Sequence, residues 1–192
     1  MRVLGLDIST TTVGWAIVES DDMSLVALGH WSLKKLYGLP LKADHVLEQV
    51  TQVIKQHGVN TPVWIEEPVM RFTPGMSSAQ TISLLIGFNA MVSYGIHLKL
   101  NFDVKHVLPQ EARKNCGLIL TSKAKAGGAS QKEQTHSQLV AANGLLNHIA
   151  FPKTKTGKLK PEALDETDAY VIARHGALVT RPNRSDLCRH SP

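Results

Sequence analysis

The chain opens with an apolar run, Arg2 to Ile8 (RVLGLDI), which breaks at Ser9-Thr10-Thr11-Thr12. Two more stretches rich in β-forming residues follow, Gly14 to Glu19 (GWAIVE) and Leu25 to Leu33 (LVALGHWSL), so the first 33 residues predict three consecutive strands. From Leu41 to His57 the apolar residues Ala43, Val46, Leu47, Val50, Val53 and Ile54 recur at helical spacing and stop at Gly58, which predicts an amphipathic helix. Val63 to Glu67 (VWIEE) predicts a strand halted by Pro68, Met76 to His97 a long apolar helix, and Asn101 to Leu108 a last strand. Beyond Pro109 the pattern predicts a short helix from Gln110 to Cys116 and then a loop, TSKAKAGGA. A helix follows that opens on Ser130-Gln-Lys-Glu133, the spacing of a capping box. A basic connection from Pro152 to Pro161 leads to a final helix in the stretch Asp165 to Leu178 (DETDAYVIARHGAL).

Length and composition narrow this order to one α/β unit, because 192 residues at 43% hydrophobic suit a single substantial core. Residues 1–180 are expected to form one domain, and the tail 181–192 (RPNRSDLCRHSP) to be poorly ordered. No repeat or low-complexity tract is present. With no apolar run of about 18 residues and no leader pattern, a soluble cytoplasmic protein without a membrane span is expected. Cys116 and Cys188 have no metal-finger or redox spacing, consistent with a reducing compartment. Aromatic residues are few and unclustered, which argues against a stacking platform for single-stranded nucleic acid.

Charge adds a partner class. The net charge is +5, yet Lys105 to Lys160 holds ten basic residues against only Glu111 and Glu133, a surplus of eight concentrated in one segment. A mobile lysine-rich loop and a surface for a polyanion are equally good explanations of this segment alone.

Acidic residues sit where hydrophobic elements would not be expected to carry them. Asp7 lies inside an apolar strand, where an unpaired carboxylate is costly to desolvate. Glu66 and Glu67 end another apolar strand, and only one of them shares a face with Trp64. Asp165 and Asp168 lie three residues apart, one turn up the same helical face. Singly, each has an ordinary explanation. Asp7 could cap the Ser9–Thr12 turn, the glutamates could be strand-end charges, and Asp165 with Glu166 could complement a helix dipole. If the three elements are neighbours, the carboxylates converge in a cluster suited to Mg²⁺ or Mn²⁺. Lys132 lies in the first turn of a capped helix, where the dipole disfavours a cation; a phosphate nearby would relieve that conflict, and a solvated lysine is an equally good explanation.

VLGLDIST with Asp7, VWIEEPV with Glu66 and DETDAYVIA with Asp165 and Asp168 resemble the acidic tetrad of RuvC-type Holliday junction resolvases. The resemblance spans roughly residues 1 to 178. It implies an RNase H-like α/β fold with a central mixed five-stranded sheet, in βββαβαβα order, flanked by helices. It also implies Asp7, Glu66, Asp165 and Asp168 as catalytic and metal-binding residues and two Mg²⁺ or Mn²⁺ ions per site. The implied reaction is cleavage of branched four-way DNA by a homodimer, through paired nicks that leave 5′-phosphate and 3′-hydroxyl ends. Lys132 resembles a lysine near the active site of that family, and Arg113, Lys114, Lys123 and Lys125 are the further candidate DNA contacts. Glu67 is a candidate either for supporting the metal-binding residues from outside or for facing outward, and His175, near the same helical face as Asp168, is a candidate for such support although a surface or packing histidine is the commoner case. Where the bacterial enzymes carry a junction-intruding aromatic, this chain has Val69, with Phe72 as a substitute, and its expanded Thr121–Ala129 loop resembles viral or phage relatives. The apolar faces of the Met76–His97 helix suggest a dimer interface.

Three other readings share these residues. GLDISTTTVG also resembles the first phosphate loop of actin-like ATPases and sugar kinases, which would require a second glycine-rich loop and a second domain. The RuvX/YqgF-like nucleases share the first motif on a shorter chain. A junction-binding module without catalysis is the third.

Overall fold

A computed structural model describes residues 1–68, 78–143, 146 and 149–181 of the chain. Val69 and Phe72, and the tail from residue 182 onward, lie outside the described residues. The elements run β1 (Arg2–Ile8), β2 (Thr12–Glu19), β3 (Leu25–Ser32), α1 (Leu39–His57), β4 (Val63–Glu66), α2 (Ala79–Leu100), β5 (Val104–Val107), α3 (Pro109–Asn115), α4 (Gln131–Asn143) and α5 (Pro161–Thr180). This is the expected order, with α5 starting one turn earlier than its acidic residues suggested.

The five strands form one mixed sheet in the order β3-β2-β1-β4-β5. β1 to β3 are antiparallel neighbours, whereas β4 pairs parallel to both β1 and β5. Parallel pairing requires crossovers, and α1 and α2 supply them. Strand alternation then sorts side chains by face. Leu4, Leu6, Ile8, Val13, Ile17, Val63 and Ile65 pack with α1 and α2 in one buried cluster. Val3, Ala16, Val18 and Trp64 pack with α5 in another. By the same alternation Asp7 and Glu66 lie on the α5 face of the sheet. The β1–β4 register pairs Gly5 with Trp64 and Leu6 with Ile65, so Asp7 and Glu66 are side by side one step further along.

Glycine sets how close α5 comes to this sheet. A Cβ on Gly5 would lie 2.6 Å from the Ala169 carbonyl oxygen and closer still to the Ala173 amide, and one on Gly14 would run into the Asp165 carbonyl. Both obstacles are backbone, which has little room to yield. Across the same interface Gly176 lies against the Trp64 indole. The helix is therefore seated on bare strand backbone, with its acidic turn directly above β1 and β2.

The other layer departs from expectation in one respect. α2 has 22 residues and an 18-residue window of mean hydropathy 1.4, so by length and composition it is long and apolar enough to cross a membrane. It was not evident as such in the sequence because Gln80, Thr81, Asn89 and Ser93 interrupt the apolar run without adding charge. Phe88, Val92 and Ile96 bury one face in the sheet-side core, while Leu84, Met91, Tyr94 and Leu98 are exposed.

Replacing Gly14 with alanine is expected to force α5 off the sheet, lowering stability by about 1–3 kcal/mol or more as overpacking does. Urea unfolding of Gly14→Ala measures this, and an unchanged midpoint would mean that the helix can move away freely.

Candidate active site

Asp7 from β1, Glu66 from β4 and Asp168 from α5 each present a carboxylate oxygen, and these oxygens lie within 4.8 Å of one another. Among the described residues this is the group able to hold a metal ion. Asp165, one turn before Asp168, joins it through a shared cation: Lys132 Nζ donates to Asp7 Oδ2 at 2.8 Å and to Asp165 Oδ1 at 2.7 Å. The four expected acids are thus brought together, three in direct proximity and the fourth through the lysine.

Lys132 lies beside the acidic cluster, and the anion that meets it is not the phosphate expected. Its conflict with the α4 dipole is relieved by carboxylates of the protein itself. The capping box that starts α4 is formed as its spacing predicts, with Ser130 N donating to Glu133 Oε2 at 2.7 Å and Glu133 N to Ser130 Oγ at 3.3 Å. This cap directs the first turn of α4, and with it Lys132, at the acids. The lysine side chain keeps 37% of its surface exposed. Burial works against its charge, but Asp7, Asp168 and Asp165 outweigh that and raise its pKa.

Arg113 is also corrected. Instead of standing ready at the surface for DNA it is buried on α3, where its Nη2 donates to Asp168 Oδ1 at 3.0 Å. Its Nη1 reaches Gln131 Oε1 at 3.4 Å, tying α3 to the start of α4. Lys114, Lys123 and Lys125 are exposed, as a DNA contact requires.

Glu67 and His175 stand outside the cluster. Strand alternation turns Glu67 to the α2 face, where its charge acts on His106. His175 is a buried packing residue, edge-on to Trp64 at 4.9 Å and 3.1 Å from Asn115 Nδ2 through its Nδ1. The Ser9–Thr12 turn needs no help from Asp7, because the Ser9 hydroxyl donates to the Thr12 carbonyl at 2.8 Å and accepts from the Thr12 amide at 3.0 Å.

Two participants were missed by sequence reasoning. Glu166 is buried and turns away from the other acids to His30 on β3, with Oε1 2.6 Å from Nδ1. The signal was in the sequence: Glu166 shares a helical stripe with Ala169, Tyr170 and Ala173. Asn89 of α2 donates to the Glu66 carbonyl at 3.0 Å, steadying the end of β4 from the opposite face.

These surroundings determine the charge state. Desolvation raises the Asp7 pKa to about 6, Lys132 opposes the rise, and Asp168 and Asp165 add to it. Glu66 is pushed well above the usual range, again by burial first and then by Asp7 and Asp168. Lys132 lies 3.3 Å from Asp168 Oδ2 but makes no hydrogen bond to it, leaving that buried oxygen without a donor. A set of hard oxygen donors, crowded enough to resist full ionisation and including a buried oxygen that accepts no hydrogen bond, fits a divalent cation such as Mg²⁺ or Mn²⁺.

No protein-family model matches the chain, and no curated protein sequence does. Solved structures do. Thermus thermophilus RuvC in complex with a Holliday junction substrate is similar with a TM-score of 0.59 at 16% identity, over 94% of this chain and 95% of that one. The yeast mitochondrial Holliday junction resolvase Ydc2 gives 0.57 at 14% identity, over 91% of this chain and 77% of that one. The chain has the RuvC-type, RNase H-like fold. A fowlpox virus resolvase in complex with Holliday junction DNA is also similar, with a TM-score of 0.51 at 14% identity over 95% and 100% of the two chains. At these identities the likeness concerns the backbone, and within this RuvC-type fold the carboxylate geometry is this chain's own.

The raised Asp7 pKa carries a stability cost in the metal-free protein. A carboxyl whose folded pKa lies above its unfolded value stabilises the fold fully below about pH 4, and that stability is lost as pH rises through about 6. Asp7→Asn is expected to stabilise the metal-free protein at pH 8 by ~1–3 kcal/mol. The advantage should fade as pH falls toward 4, as thermal unfolding across that range would test.

Proposed function

We propose that the protein is a metal-dependent endodeoxyribonuclease that resolves four-way DNA junctions by paired hydrolytic nicks, leaving 5′-phosphate and 3′-hydroxyl ends. The observation that carries this reading is the meeting of Asp7, Glu66 and Asp168 at 4.8 Å or less on the face of a RuvC-type sheet. Similar folds bound to Holliday junctions support branched DNA as the substrate.

In this reading Asp7, Glu66, Asp165 and Asp168 hold Mg²⁺ or Mn²⁺, which supplies the Lewis acidity and charge neutralisation that phosphodiester hydrolysis needs. The chain's residues set the geometry. β1 and β4 fix Asp7 and Glu66 on rigid neighbouring strands. Arg113 fixes one oxygen of Asp168 and leaves the other directed at the cluster. Lys132 balances the carboxylates until a cation engages them. Being partly exposed where Arg113 is buried, it is the cation of the site able to turn toward a phosphate oxygen. No side-chain nucleophile is required.

Cleavage of a labelled four-way junction beside linear duplex tests this. Wild-type protein with Mg²⁺ is expected to give paired nicks near the crossover, abolished by EDTA. Asp7→Asn should lower the rate by more than about 100-fold while junction binding persists. Junction binding without cutting under every metal condition would leave a non-cleaving binding module, and equal cutting by Asp7→Asn would overturn the assignment of the carboxylates.

We propose further that two copies associate through α2. Its exposed Leu84, Met91, Tyr94 and Leu98 are apolar and uncovered, and a second copy would bury them. A dimer presents two sites to the two strands that must be cut. Sedimentation at micromolar concentration should show a dimer that Leu98→Asp dissociates; wild-type monomer would overturn the interface.

A further inference from the structure

Residues 152–160 (PKTKTGKLK) form a small β-hairpin that the cluster chemistry leaves unused. Lys153 and Leu159 make an antiparallel bridge, Thr154 N donates to the Lys158 carbonyl at 2.7 Å, and Lys160 N donates to the Pro152 carbonyl at 2.9 Å. Gly157 takes the positive φ of 80° that the tight turn needs, and its amide donates to the Thr154 carbonyl at 3.0 Å. Lys153, Lys155, Lys158 and Lys160 are all exposed, and the hairpin contains no acid.

The hairpin is fastened to the helices that build the carboxylate site. Phe151, at its base, packs edge-on against His136 of α4 with ring centroids 4.7 Å apart. His136 Nδ1 lies 2.9 Å from Thr167 Oγ1 on α5. Lys160 is the N-cap of α5, five residues before Asp165. The charges of Lys158 and Lys123 both act on Glu133, and that of Lys153 on His136, so the hairpin and the Lys123–Lys125 turn flank the start of α4.

Nearby acids are already engaged. Glu133 is held by Ser130, and Glu162 accepts from Lys34 at 2.9 Å. From Ala112 to Pro161 the chain carries nine basic residues and one acid, Glu133, and among the described residues none of the four lysines forms a salt bridge. A solvated loop that served only solubility would need neither an antiparallel bridge nor an aromatic anchor.

We infer that the 152–160 hairpin is a phosphate-binding arm that holds the backbone of a duplex DNA arm beside the carboxylate site. The inference rests on the nuclease reading above and adds to it a binding surface outside the catalytic cluster. Its contacts are ionic, reading the regular spacing of phosphates and not base sequence. It makes the distance between the scissile phosphate and the held arm a property of α5, which carries Lys160 at its start and Asp165 and Asp168 just beyond.

Junction affinity measured by fluorescence anisotropy in EDTA, over a range of salt, tests this. Lys155→Ala/Lys158→Ala is expected to bind about tenfold more weakly than wild type near physiological salt. The slope of log K against log salt should become shallower by roughly 0.9 for each phosphate that a removed lysine no longer neutralises. Lys55→Ala/Lys99→Ala, on the α1–α2 side of the sheet, should leave the slope unchanged. A hairpin variant with wild-type affinity and slope overturns the arm while the nuclease reading stands. Wild-type protein that binds neither junction nor duplex overturns that reading and the arm with it.

Discussion

The arrangement depends on how closely α5 can approach the strands beneath it. Gly5 and Gly14 provide no side chain at the two points where the helix backbone meets the sheet, so Asp165 and Asp168 descend to the level of Asp7. A side chain at either point would hold the helix away by several tenths of an ångström or more, and carboxylates that must share a cation do not tolerate such slack. Catalytic geometry and core packing are therefore the same contact. The residues between the acids and the helix end, Ala169, Val171, Ile172 and Ala173, bury the surface that keeps the contact closed.

Four acids at one point would repel one another were they not balanced. Lys132 lies among Asp7, Asp165 and Asp168, and Arg113 holds the Oδ1 of Asp168 from the buried side. The balance remains incomplete, because burial still favours the protonated forms of Asp7 and Glu66 and one oxygen of Asp168 has no donor. Such a site gains by taking up a divalent cation, since the fold has already met the cost of bringing the carboxylates together. The two balancing cations come from α3 and α4, elements that follow the sheet in sequence and close over α5.

Much of this was legible in the chain. The order of strands and helices followed from hydrophobic period and turn residues. The capping box at Ser130 was recognisable from spacing alone, and strand parity put Glu66 and Glu67 on opposite faces, with the family resemblance singling out Glu66. Less legible were side chains whose partners come from distant elements. Arg113 reads as a surface cation because its sequence neighbourhood does not reveal its partner, which lies 55 residues on. Lys132 reads as a cation awaiting an external anion, whereas its partners are 125 and 33 residues away. The apolar length of α2 was hidden by uncharged polar residues that hydropathy tolerates and inspection by eye does not.

The sequence by itself determined which elements form and which faces they bury, because periodicity and capping act over a few residues and depend on little else. It also determined where acids would be intolerable unless paired, as Asp7 in an apolar strand shows. Only the tertiary structure decided the pairings. Desolvation and Coulomb attraction act through space, so which lysine neutralises which carboxylate, and which arginine is withdrawn from solvent, follow from the seating of α5 on Gly5 and Gly14 and the closure of α3 and α4 over it.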